Sequence, residues 1–121
     1  MRIILVSLFA ASLAYVFNSI IIRKIGLAVL TDLIPIIEEF LKTYSAVQFN
    51  IPILYDHLIF GIVEAITDFY AGEKLAAILS IASHTFFGLL ATYVYSHLGL
   101  LWSLAASSVA HMIYNKIMLT K

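Results

Sequence analysis

From Ile3 to Ile22 the chain is apolar apart from Ser7, Ser12, Asn18 and Ser19. A run of about twenty such residues, rising ~1.5 Å each as a helix, crosses a hydrocarbon core of ~30 Å. Four more apolar segments follow, separated by very short connections. A bilayer admits only helices or closed barrels, and segments of this length read as helices. The expected fold is therefore all-α: a polytopic transmembrane bundle of about five spanning helices, near residues 3–22, 31–49, 52–71, 75–96 and 100–119. No repeat, linker or low-complexity tract interrupts it, so residues 1–121 form one integral-membrane domain.

Local signals set those boundaries. Arg23-Lys24 closes the first segment, whose length fits a retained span better than a cleaved signal peptide. Thr31 is the expected N-cap of the second helix, with Pro35 early enough to be tolerated. Asn50-Ile51-Pro52 and Ala71-Gly72-Glu73-Lys74 read as turns, as does His97-Leu98-Gly99, and Trp102 suits an interfacial belt. The first helix is expected to be scaffold.

Composition agrees, since 63% of the residues are hydrophobic, 12% are charged and the mean hydropathy is +1.03. A net charge of zero gives no basic face for nucleic acid, and the absence of cysteine excludes disulfides, thiolate nucleophiles and thiolate metal sites. With five spans, Arg23, Lys24, Lys74, Lys116 and Lys121 share one side and Arg2 takes the other. The positive-inside rule then places the protein in the cytoplasmic membrane, amino terminus outside and carboxyl terminus in the cytoplasm, among membrane lipids.

Polar groups inside these segments are the functional signal, because ionisable residues at membrane depth are costly and face each other or a wet cavity. Four helices each carry one stripe: Glu38 and Glu39 with Lys42, Glu64 with Asp68, His84 with Gly88 a turn later, and His111 with Asn115. Glu38, Glu64, His84 and His111 all fall ~10–14 Å from the cytoplasmic face at helical rise. Carboxylates with imidazoles suit amide hydrolysis by water, one acid serving as base and an imidazole or amide holding the oxyanion. Neighbouring helical residues point about 100° apart, so Glu38 and Glu39 cannot both face one point, and one of them is expected to pair with Lys42.

The ordered motifs Glu38-Glu39-Phe40-Leu41-Lys42, Phe60-Gly61-Ile62-Val63-Glu64, His84 and His111-Met112-Ile113-Tyr114-Asn115 resemble those of the CPBP intramembrane proteases and their PrsW-type relatives. The Lys42 spacing and the Gly61-to-Glu64 segment favour the PrsW branch over the prenyl-protein (CAAX) protease branch. The resemblance covers Pro35 to Asn115. It implies an intramembrane endopeptidase acting on a membrane-embedded protein or peptide, with Glu38 or Glu39 activating water, His84 assisting, His111 and Asn115 stabilising the oxyanion, and Glu64 a further site residue. The chain is shorter than typical members, so partner proteins or a homo-oligomer would complete the site.

Three other readings stand beside this one. Glu38 or Glu39, Glu64, His84 and His111 also form an oxygen-and-nitrogen set for zinc, although no His-Glu-x-x-His sequence is present, and no cofactor is the first expectation. A small proton- or ion-coupled transporter uses the same residue types, but no repeat relates the two halves of this chain. A membrane assembly subunit would use its polar groups to hold partner helices. His57 beside Asp56 is expected at the outer interface and His97 in a loop, both outside the site. Ser83, Ser107 and Ser108 are read as small residues of tight helix contacts rather than nucleophiles.

Overall fold

The computed structural model describes residues 1–119 and is built of helices: α1 Arg2–Ile25, α2 Leu33–Gln48, α3 Ile53–Tyr70, α4 Lys74–Leu98 and α5 Leu100–Leu119. Among the described residues there is no strand. Lys121, one of the charges expected at the cytoplasmic end, lies outside them.

Each chain reversal holds a residue at positive φ: Gly26, Asn50, Gly72 and Gly99. Two of these close helices by the same device. Asn50, at φ 51°, lets Ile51 N–H reach back to the Ala46 carbonyl at 2.9 Å, and Gly72 does the same for Glu73 and Asp68. These six-to-one bonds satisfy carbonyls that a helix end otherwise leaves bare.

The boundaries shift from expectation in one informative place. A 3₁₀ turn, Leu27–Thr31, precedes α2, and Thr31 does not cap that helix. Its hydroxyl donates to Asp32 Oδ2 at 3.0 Å, and Asp32 in turn pairs with Lys116 of α5 at 2.7 Å. Leu27 to Leu30 are as apolar as any helical run, which is why pattern alone could not mark the break. α4 extends to Leu98, placing His97 in the last helical turn instead of a loop.

α3 and α4 pack most extensively; α2 touches α1, α3 and α5, and α5 leans on α4. The interior combines alanines, such as Ala10, Ala14, Ala46 and Ala91, and a few larger apolar side chains, among them Ile34, Phe60 and Phe87, with fully buried polar side chains. Large apolar side chains face outward on every helix, among them Phe9 at 57%, Ile78 at 67% and Ile113 at 54% exposure. Soluble domains arrange these classes the other way round.

Two helices, α1 and α4, are long and apolar enough to cross a membrane. α2, with 16 residues, spans only ~24 Å, and the 18 residues of α3 include Asp56, Glu64 and Asp68. The helices that depart from the spanning pattern thus include those that carry the carboxylates.

Candidate functional site

α2 presents Glu38 and Glu39 in different directions, as the 100° offset of adjacent helical residues requires. Glu39 is wholly buried, and its Oε1 meets the Lys42 ammonium at 2.5 Å and His111 Nδ1 at 2.9 Å. Glu38 instead lines a cavity, accepting a hydrogen bond from Asn18 Nδ2 of α1 at 2.6 Å and facing His111 Nε2 at 3.8 Å. Lys42 therefore pairs with the carboxylate three residues before it, not the one four residues before.

Lys42 is also fully buried and joins α2 to α4. Its Nζ lies 3.0 Å from His84 Nδ1 and 4.6 Å from the centre of the Phe60 ring. An ammonium only donates, so His84 Nδ1 must accept and the imidazole proton sits on Nε2. That nitrogen is 2.6 Å from Glu64 Oε2. By the same logic the Glu39 carboxylate fixes the proton of His111 on Nδ1, leaving the Nε2 lone pair turned toward Glu38.

Gly61 makes the α3–α4 approach possible. A Cβ there would lie 2.8 Å from His84 Cβ and 3.0 Å from the Ser80 carbonyl oxygen. Gly88 serves the same contact one turn away, where a Cβ would meet His57 Cβ at 2.7 Å. The His111 ring is held between neighbours, stacked on Phe87 at 4.7 Å and edge-on to His84 at 5.3 Å.

A cavity of about 530 Å³ has these groups on its floor. Glu38, Glu64, His84, His111 and Asn115 all line it, with Asp68 and Glu73 toward the end that carries Lys74. Asp68 accepts from Ser80 Oγ at 2.8 Å, and Asn115 Nδ2 donates to the Leu30 carbonyl at 2.9 Å, with a second N–H left over. Of the predicted site residues, Glu38, Glu64, Asp68, His84, His111 and Asn115 line the cavity, while Glu39 and Lys42 lie behind its wall.

Two assignments need correction. α1 is more than scaffold, because Asn18 binds Glu38 directly; a lone amide in an apolar helix, ~10 Å from its end and so level with Glu38, was the available signal. His57 is not interfacial but completely buried, hydrogen-bonded to Thr43 Oγ1 at 3.1 Å and 3.7 Å from Glu39 Oε2. Ser107 stands one turn before His111, a spacing that invites a serine–histidine pair. Its hydroxyl donates instead to the Ser103 carbonyl at 3.0 Å while His111 Nδ1 is held by Glu39.

Among the described residues no three His, Asp or Glu side chains are grouped to hold a metal ion. His84 Nδ1 is taken by the Lys42 ammonium, so only Nε2, beside Glu64, is turned to the side where the proposed zinc ligand set lies. Comparison with protein families, curated proteins and solved structures finds no match for this chain.

Proposed function

We propose that this chain is a polytopic membrane protein and an intramembrane endopeptidase of the PrsW type within the CPBP proteases, hydrolysing a peptide bond of a membrane-embedded protein with activated water. The membrane reading rests on the inverted distribution of residues: Lys42, Glu39, His57 and Ser107 are fully buried while large apolar side chains cover the outside. Hydrocarbon is the solvent in which that arrangement is favourable. Arg23, Lys24, Lys74 and Lys116 then mark the cytoplasmic end, with Arg2 outside.

The observation that carries the catalytic reading is the pairing of Glu38 Oε2 with His111 Nε2, 3.8 Å apart on the cavity floor, with Glu39 fixing the far nitrogen of that imidazole. A water held by both acceptors has its two hydrogens committed and its lone pair aimed into the cavity. Glu38 takes one proton as the water oxygen attacks the peptide carbonyl, and then delivers it to the departing amine; the second water proton stays on the new carboxyl group until that acid passes it to the amine, so the products are a carboxylate and an ammonium. Asn115, which lines the same cavity and has a second N–H beyond the one given to Leu30, supplies the donor for the oxyanion in this reading. His84, held by Lys42 and Glu64, fixes the α2–α3–α4 geometry, and no acyl-enzyme is formed.

The test is hydrolysis of single-span reporter peptides by purified protein in phospholipid vesicles. Glu38→Gln should abolish turnover and Asn115→Ala should lower it by ~10² to 10³, while Ser107→Ala and a chelator leave it near wild type. Full turnover by Glu38→Gln would overturn the proposal. A rival reading, a proton- or ion-coupled transporter, is favoured by the buried Asp56, His57 and Ser45 beyond the site. Proton flux lost in Glu38→Gln, with no hydrolysis by wild type, would select it.

A further inference from the structure

Behind Glu39, on the side away from the cavity, lies a second layer of buried polar groups that the proposed chemistry does not use. His57 of α3 and Thr43 of α2 are both wholly buried. Two atoms in this layer, Glu39 Oε2 and His57 Nδ1, are buried without a hydrogen-bond partner, and they face each other at 3.7 Å. Leaving both unpaired is expensive inside a protein, and a side-chain adjustment of under an ångström closes the gap.

A carboxylate oxygen only accepts, so a bond between these two atoms calls for the ring proton on Nδ1. Thr43 Oγ1 lies 3.1 Å from His57 Nε2. If the Thr43 hydroxyl donates there, Nε2 is the acceptor and the ring proton resides on Nδ1, aimed at Glu39. The His57 ring is held in place because Gly88 offers no side chain where its Cβ packs. The charged and titratable groups around it are Glu39 and Lys42 on α2, Asp56 on its own helix, His84 on α4 and His111 on α5.

We infer that His57, oriented by Thr43, is a positioning residue: it holds Oε2 of Glu39 so that Oε1 keeps Lys42 and the Nδ1 proton of His111 in place. The inference rests on the endopeptidase reading for its consequence in turnover, but not for its geometry. Glu39 then has all its strong donors accounted for, two on one oxygen and one on the other, and His111 presents a single tautomer to the cavity.

Two near-isosteric variants separate this from a merely structural role. His57→Asn places an amide N–H where Nδ1 stands and keeps the bond to Glu39; His57→Gln reaches Thr43 instead and loses it. In ¹⁵N spectra of histidine-labelled protein, His111 should retain its Nδ1-protonated signature in wild type and His57→Asn, and lose or mix it in His57→Gln. In peptide hydrolysis His57→Gln should lower kcat by about 10- to 100-fold with KM unchanged, the scale of outer partners that orient a site group, and His57→Asn should restore most of it. Thr43→Val should leave His57 protonated on Nδ1, where the Glu39 carboxylate still accepts, and shift only the Nε2 resonance that loses its hydroxyl partner. Equal His111 spectra in the Asn and Gln variants, both folded by circular dichroism, would overturn the inference. Absence of hydrolysis by wild type would instead count against the endopeptidase reading while leaving the spectra to decide this one.

Discussion

Lys42→Met tests the buried charge cluster without reference to any substrate. The ammonium sits 2.5 Å from Glu39 Oε1 and 3.0 Å from His84 Nδ1, and Lys42 and Glu39 have no exposed surface. Methionine keeps the length of the stem, so packing changes little while the charge disappears. What remains is a buried Glu39 carboxylate without its ammonium, and breaking a buried pair from one side costs about 3–5 kcal/mol. For a chain of 121 residues, at about 4 °C per kcal/mol, melting in detergent should fall by roughly 12–20 °C. Removing both charges in Lys42→Met/Glu39→Gln should be far milder than the sum of the single changes, since an apolar replacement of a whole buried pair is often neutral. Melting curves of the four proteins by circular dichroism give the coupling, expected at about 2 kcal/mol or more. Additive single effects, or a Lys42→Met protein as stable as wild type, would show that the two side chains do not form the pair described.

Gly61→Ala should destabilise the bundle by about 1–3 kcal/mol and disturb the site, because the new methyl would stand 2.8 Å from His84 Cβ and 3.0 Å from a carbonyl oxygen that cannot rotate away; thermal melting and the His84 ¹⁵N signals report both effects. Asp32 should titrate below its ordinary value of 3.8, held down first by the hydrogen bond from Lys116 and then by that from Thr31. Its contribution to stability is therefore present above the unfolded value and lost as pH falls through the folded one, and NMR should find the midpoint moving back up in Lys116→Met. A cysteine introduced at Lys74 into this cysteine-free chain should react with an impermeant thiol reagent only after cells are opened, and labelling of intact cells would reverse the orientation.

The fold was legible where the pattern is strong. Five apolar segments bounded by Arg23-Lys24, Asn50 and Gly72 became five helices, with ends displaced by no more than about three residues, the usual scatter of helix termini. The 3₁₀ turn was hidden because leucine, alanine and valine serve it as well as an α-helix. At the site, counting residues from helix ends located Glu38, Glu64, His84 and His111 in one layer, since helical rise converts sequence into depth. The same count misplaced His57. It lies only one turn inside α3, but Gly88 draws α4 over it and α2 closes the other side, so burial there depends on lateral packing that depth does not measure.

Adjacent glutamates look redundant in sequence, and the helix gives them opposite tasks. With side chains turned apart, Glu38 opens to the cavity at 4% exposure and touches Asn18, while Glu39 at 0% gathers Lys42 and His111 from behind. Neither can take the other's place, because exchanging them would require turning α2 by about 100° and pulling Lys42 away from His84. Replacement by glutamine should therefore have two different signatures. Glu38→Gln keeps its shape and its bond to an amide, so the protein should melt near the wild-type temperature and lose turnover. Glu39→Gln removes the charge that balances a buried ammonium and fixes the His111 proton, so melting temperature and turnover should fall together. A Glu39→Gln protein with wild-type melting and no turnover would mean that Glu39, not Glu38, acts on the water.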